Sequence, residues 1–178
     1  EQDDALSRTL KQFNTGKRFL WNAKMRFGKT LSALEVVRQS EFKKTIIITH
    51  RPVVDSGWYE DFNKIFYNYD DYIYGSKNTG YTIDDLIKTD KRFVYFASMQ
   101  DLRGSDIFGG KFDKNDAVFD TIWDFVIVDE AHEGTTTALG NDVIKAIVKE
   151  ELNKTKFLAL SGTPFNILGN YDDNIYTW

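Results

Sequence analysis

Three short polar clusters carry side chains suited to phosphate and a hard cation: Gly28-Lys29-Thr30, Asp129-Glu130 and Ser161-Gly162-Thr163. The first closes the run Ala23-Lys24-Met25-Arg26-Phe27-Gly28-Lys29-Thr30. Arg18-Phe19-Leu20-Trp21-Asn22 before it reads as a short strand, and Leu31 to Arg38 after it has apolar residues at helical spacing. A strand, a glycine-containing loop and a helix together make an anion site. The loop amides and the first helix amides are free to point at an anion, and the helix dipole favours negative charge there. In the pattern G-x-x-x-x-G-K-[ST] the lysine reaches the β- and γ-phosphates and the hydroxyl ligates Mg²⁺. Lys29 and Thr30 occupy those positions, and Ala23 stands where the pattern opens on glycine. Taken alone, the run also fits an ordinary strand-to-helix turn.

Asp129 follows the apolar run Phe125-Val126-Ile127-Val128. A carboxylate at a strand end beside a phosphate loop suits Mg²⁺, and Glu130 next to it suits a group that orients or deprotonates an attacking water. The competing reading is a charged strand end facing solvent. Ser161 and Thr163 follow Lys156-Phe157-Leu158-Ala159-Leu160, and their hydroxyls suit hydrogen bonds to those carboxylates or a simple turn.

The elements that must position these clusters alternate. Residues 3 to 13 read as an amphipathic helix ended by Asn14-Thr15-Gly16-Lys17. Thr45-Ile46-Ile47-Ile48-Thr49 and Phe93-Val94-Tyr95-Phe96-Ala97-Ser98 are continuous apolar runs of the kind buried on both faces. Helices are expected over 53 to 66, 82 to 88, 116 to 122 and 136 to 151, a short strand at Tyr72-Ile73-Tyr74, and a surface loop over 103 to 116. This order implies βαβ units, a mostly parallel sheet and helices on both faces. Ligands of such α/β folds bind outside the carboxyl ends of the strands, where all three clusters fall.

With 178 residues, 42% hydrophobic and 28% charged, the chain has the composition of a globular domain. It contains no cysteine, which excludes disulfides and thiolate metal sites and fits a cytoplasmic protein. No run of about 18 apolar residues predicts a membrane span. A net charge of −4 gives no global attraction to nucleic acid, so any such contact must be local. The chain opens on Glu1 rather than Met and reads as a piece of a longer protein.

Taken together, the clusters resemble the motifs of the first RecA-like domain of superfamily 2 helicases and translocases. Ala23 to Thr30 resembles motif I, Asp129-Glu130-Ala131-His132 motif II in its DEAH form, and Ser161-Gly162-Thr163-Pro164 motif III. Thr49-His50-Arg51-Pro52 stands where motif Ia is expected, and Ser98-Met99-Gln100 is similar to the T-x-x-Q-like motif that follows the next strand. Gln2-Asp3-Asp4-Ala5 is similar to the Q-x-x-A segment in which a glutamine reads adenine. Within the superfamily, Ser161 to Phe165 and Arg26-Phe27 before Gly28 look most similar to the motor subunits of type I and type III restriction enzymes.

The resemblance implies an α/β RecA-like fold over residues 1–178, with ATP and Mg²⁺ as cofactors and DNA, duplex in the restriction-enzyme group, as partner. It places ATP against Gln2 and Ala23 to Thr30, and Mg²⁺ at Thr30 and Asp129. Lys29, Asp129 and Glu130 take the catalytic roles. His132, Ser161, Gly162 and Thr163 couple the nucleotide to the nucleic-acid side, where His50, Arg51, Ser98 and Gln100 are the candidate contacts. A second RecA-like domain in the longer protein, with possible nuclease or methyltransferase modules, completes the expectation. An RNA helicase of the same superfamily and a vestigial nucleotide-site interaction module are the rival readings. The aromatic cluster Trp58, Tyr59, Phe62, Phe66, Tyr67, Tyr69, Tyr72 and Tyr74 reads mainly as packing, because Trp58, Phe62 and Phe66 recur at helical spacing.

Overall fold

The computed structural model describes residues 2–15, 18–22, 28–50, 54–105, 107, 109–110, 115–129, 138–149, 155–161 and 175–177. Among the described residues seven strands form one sheet: β1 (Arg18–Asn22), β2 (Lys44–Thr49), β3 (Tyr72–Ser76), β4 (Arg92–Ser98), β5 (Phe125–Val128), β6 (Lys156–Ser161) and β7 (Ile175–Thr177). Their spatial order is β3-β4-β2-β5-β6-β1-β7, and every pairing is parallel. The helices are α1 (Gln2–Thr15), α2 (Lys29–Ser40), α3 (Asp55–Phe66), α4 (Ile83–Lys88), α5 (Met99–Arg103), α6 (Asp116–Asp120) and α7 (Ala138–Val148).

The continuous apolar runs give a sheet covered on both sides, because alternate residues of each strand enter opposite cores. Ile47, Val94, Phe96, Phe125, Ile127, Leu158 and Leu160 pack with Ala33, Leu34, Val36 and Val37 of α2, Trp58, Phe62 and Phe66 of α3, and Ala5 and Phe13 of α1. Ile46, Ile48, Phe93, Tyr95, Val126, Val128, Phe157 and Ala159 enter the opposite core with residues of α4, α5, α6 and α7. Trp123 lies fully buried there, its indole N–H donating to Val118 O at 2.9 Å.

The expected strands at 45–49, 93–98, 125–128 and 156–160 are present with small extensions. Two elements were not anticipated. The expected loop over 103 to 116 is preceded by α5, a single turn and a half whose N-terminal amide at Asp101 is capped by Ser98 Oγ at 3.2 Å. Strand β7 is three residues long and adds to the free edge of β1. The helix expected over 116 to 122 stops at Asp120. The aromatic cluster divides: Trp58, Phe62, Phe66, Tyr72 and Tyr74 are core, whereas Tyr67 is 77% exposed.

Because all strands run the same way, their carboxyl ends share one edge. β1, β6 and β5 are consecutive in the sheet, so the loops that leave them are neighbours. Among the described residues no helix is long and apolar enough to cross a membrane.

Candidate active site

The site begins at Gly28. Its φ of 69° and ψ of 26° lie in the left-handed region, which glycine adopts at little steric cost. Gly28 O accepts the Ser32 amide at 2.9 Å, the first bond of α2. The turn therefore sets Lys29 as the first helical residue, with its side chain over the carboxyl edge of the sheet.

Lys29 Nζ lies 3.1 Å from Asp129 Oδ1, and both side chains are 8% exposed. Asp129 is anchored from its other side. Its backbone amide donates to Ile48 O at 2.9 Å, tying the end of β5 to β2. A short carboxylate fixed on a strand end and a long ammonium arm on a helix start thus meet across β6. Removing both charges from water is costly, and their mutual attraction offsets that cost only while both are present.

Thr30 follows Lys29 and is half-buried. Its hydroxyl donates to Asp61 Oδ2 on α3. Asp61 Oδ1 also faces Lys64 Nζ at 3.7 Å on the exposed side of that helix. Asp61 was not legible as a site residue in the sequence. It belongs to no motif, and only the packing of α3 against α2 brings it to Thr30.

The donor set fits a nucleotide–metal site. Carboxylate and hydroxyl oxygens are the ligands that Mg²⁺ prefers, and an ammonium beside them suits phosphate. Lys29, Thr30 and Asp129 supply these groups within one edge of the sheet, and Asp61 of α3 accepts the Thr30 hydroxyl proton.

The other expected residues divide into two groups. Residues 23–27, Arg51, Glu130, His132, Gly162 and Thr163 lie outside the described residues. Ser161 closes β6, in register with Asn22 at the end of β1, which places it on the same edge. Gln2 is the first residue of α1. His50 leaves β2 at the same edge as Lys29, and its Nδ1 is buried without a hydrogen-bond partner among the described residues. Ser98 is fully committed within the fold: its hydroxyl caps α5 and contacts Asp101 Oδ2 at 3.2 Å. Gln100 is exposed on α5.

At the β3–β4 end of the edge lies a cavity of about 210 Å³, lined by Asp55, Ser76, Asp84, Tyr95, Ser98 and Asp101 among others. Asp55 is buried, and its carboxylate accepts the hydroxyls of Tyr74 and Ser76, each at 2.5 Å. Burial, and then the Asp55 bond and charge, push the Tyr74 hydroxyl well above its ordinary range. This wall is structural, and none of its residues belongs to the Lys29–Asp129 cluster.

Comparison with known proteins agrees with this geometry. Residues 1–166 match the family model described as "Type III restriction enzyme, res subunit". The chain is 28% identical over 207 residues to the C-terminus of a putative type II restriction enzyme and methyltransferase of Mycoplasma pneumoniae. That match covers 90% of this chain and 28% of the relative, so the chain spans about a quarter of that protein's length. Among solved structures, the UvsW helicase of bacteriophage T4 superposes with a TM-score of 0.65 at 18% identity, covering 99% of this chain and 58% of that one. The Sulfolobus solfataricus SWI2/SNF2 ATPase core in complex with dsDNA superposes with a TM-score of 0.61 at 18% identity, covering 92% and 31%. The parallel sheet with its Lys29–Asp129 edge shares its fold with these helicase and ATPase structures, and the family match covers most of the chain: the chain belongs to the type III restriction enzyme res subunit family.

Proposed function

We propose that this domain binds ATP with Mg²⁺ and, within its longer protein, couples ATP hydrolysis to movement along duplex DNA. The observation that carries this reading is the buried Lys29–Asp129 pair at the carboxyl edge, with Thr30 beside it. The Lys29 ammonium pairs with the Asp129 carboxylate at 3.1 Å. Lys29 would be placed to meet phosphate oxygens of a bound nucleotide, and Asp129 to offer its carboxylate to the metal.

Thr30 and Asp129 would hold Mg²⁺. The metal supplies charge neutralisation on the phosphates when bound. Lys29 binds and orients the β- and γ-phosphates. Glu130, adjacent to Asp129, orients the water and accepts its proton. Residues 23–27 contribute loop amides, and Gln2 reads the adenine. Ser161, Gly162, Thr163 and His132 relay the state of the site to the nucleic-acid side.

Duplex DNA is favoured as partner by membership in a restriction-enzyme family. The candidate contacts on this domain are His50 and Arg51, which follow β2 in the sequence, and Gln100, exposed on α5, whereas Ser98 is buried with its hydroxyl spent on the start of α5. The net charge of −4 confines attraction to such local groups. A second RecA-like domain elsewhere in the longer protein closes the nucleotide site, and the isolated chain hydrolyses ATP poorly. The absence of cysteine fits a cytoplasmic setting.

The direct test is binding of a fluorescent ATP analogue to the wild-type chain and to Lys29→Ala, with and without Mg²⁺. Mg²⁺-enhanced binding that Lys29→Ala removes supports the reading. Equal binding by both proteins contradicts it.

A further inference from the structure

We infer that Asp61 is a positioning residue of the metal site, acting through the Thr30 hydroxyl; this rests on the nucleotide–Mg²⁺ reading above. The contact that carries it is the hydrogen bond from Thr30 Oγ1 to Asp61 Oδ2, between the second residue of α2 and the middle of α3. A threonine hydroxyl has one proton and two lone pairs. A cation is held by a lone pair, so the proton has to point elsewhere. Asp61 accepts that proton and leaves both lone pairs free for Mg²⁺.

The partner also fixes the rotamer. Threonine in a helix divides between two χ1 wells, because its hydroxyl can bond back to the preceding turn. An acceptor on a neighbouring helix selects one of them. A carboxylate is the strongest such acceptor and makes the hydroxyl oxygen a better ligand, as carboxylates do for metal-bound histidines.

Asp61 is itself held in place. It sits on α3 between Trp58 and Phe62, which are 1% and 6% exposed in the core shared with α2. Its side chain is 19% exposed, and its second oxygen faces Lys64. The packing of α3 therefore supplies an acceptor at a fixed position. Asp61 need not touch the nucleotide or the metal.

The test measures affinity for the fluorescent ATP analogue in EDTA and across a Mg²⁺ titration, in the full-length protein. The variants are Asp61→Ala, Asp61→Asn, Thr30→Ala and the double variant Thr30→Ala/Asp61→Ala. Supporting outcomes are specific. Asp61→Ala raises the Mg²⁺ concentration needed for half-maximal enhancement by about 10- to 100-fold, the usual cost of losing a group that orients a metal ligand. Its binding in EDTA is unchanged. Asp61→Asn, which keeps an acceptor oxygen of the same shape, recovers part of the loss. The double variant is no worse than Thr30→Ala. The proposal is overturned if Asp61→Ala weakens binding equally in EDTA and Mg²⁺, or if its loss multiplies with that of Thr30→Ala. If the wild type shows no Mg²⁺ enhancement at all, the nucleotide–metal reading itself fails, and this inference with it.

Discussion

Lys29 Nζ and Asp129 Oδ1 stand 3.1 Å apart, joining the first residue of α2 to the residue that closes β5. The two are one hundred positions apart in sequence, and the parallel sheet alone brings them together. Breaking a buried ion pair from one side leaves a charge out of water without its counter-charge, at a cost of about 3–5 kcal/mol. Lys29→Met and Asp129→Leu should each lower the stability of the ligand-free chain, and the double variant should lose less than the sum. Urea unfolding of the four proteins reads this directly; strictly additive losses would show that the pair contributes no coupling.

Glu130→Gln separates binding from chemistry. If Glu130 takes the proton of the attacking water, the amide should leave ATP affinity within a few-fold of wild type and slow hydrolysis by about 10²–10⁴-fold. Single-turnover hydrolysis and nucleotide binding on the full-length protein check this. Unchanged turnover would remove Glu130 from the proton-transfer role.

Trp123 tests the fold without touching the site. It is fully buried between β5 and α6, donates to Val118 O at 2.9 Å and meets the edge of Phe93 with ring centroids 5.8 Å apart. Trp123→Ala should cost about 3–5 kcal/mol in unfolding free energy. Below its melting temperature the variant should still bind nucleotide as the wild type does. A large loss of affinity in the folded variant would mean that this core is coupled to the Lys29 edge.

Alkaline stability follows from the buried tyrosines. Burial pushes the hydroxyls of Tyr72 and Tyr95 up to about 12 from an ordinary 10. A folded-state value above the unfolded one favours the protonated form in the fold. Its contribution is therefore complete below pH 10 and is lost as pH rises through 12. Denaturant unfolding should show stability falling between pH 10 and 12, and Tyr95→Phe should reduce the size of that fall. An identical pH profile for Tyr95→Phe would contradict the assignment.

Much of this was legible in the sequence, for identifiable reasons. β2, β4, β5 and β6 are runs of four or more apolar or β-branched residues, and doubly buried parallel strands read that way whatever lies beside them. That Gly28-Lys29-Thr30 opens a helix and Asp129 closes a buried strand at the same edge was legible because a glycine before a helical run and a carboxylate after an apolar run both mark the carboxyl ends of parallel strands. β7 was not, since three residues hold no period and its partner β1 is far along the chain. α5 was missed because a five-residue helix depends on its Ser98 cap more than on any apolar pattern. Asp61 was missed for a deeper reason. Its role comes from the docking of α3 on α2, and a lone aspartate on a polar helix face carries no local sign of what it touches.

The proposed ATP-driven movement along duplex DNA is read most directly by ATP hydrolysis in the full-length protein. Duplex DNA, single-stranded DNA and RNA would be compared in parallel, with Lys29→Ala, checked for folding by circular dichroism, as the blank. Stimulation by duplex DNA above the other two, abolished by Lys29→Ala, is the expected result. Stimulation by RNA alone would move the protein to the RNA helicases, and no hydrolysis with any of the three would contradict the motor reading altogether.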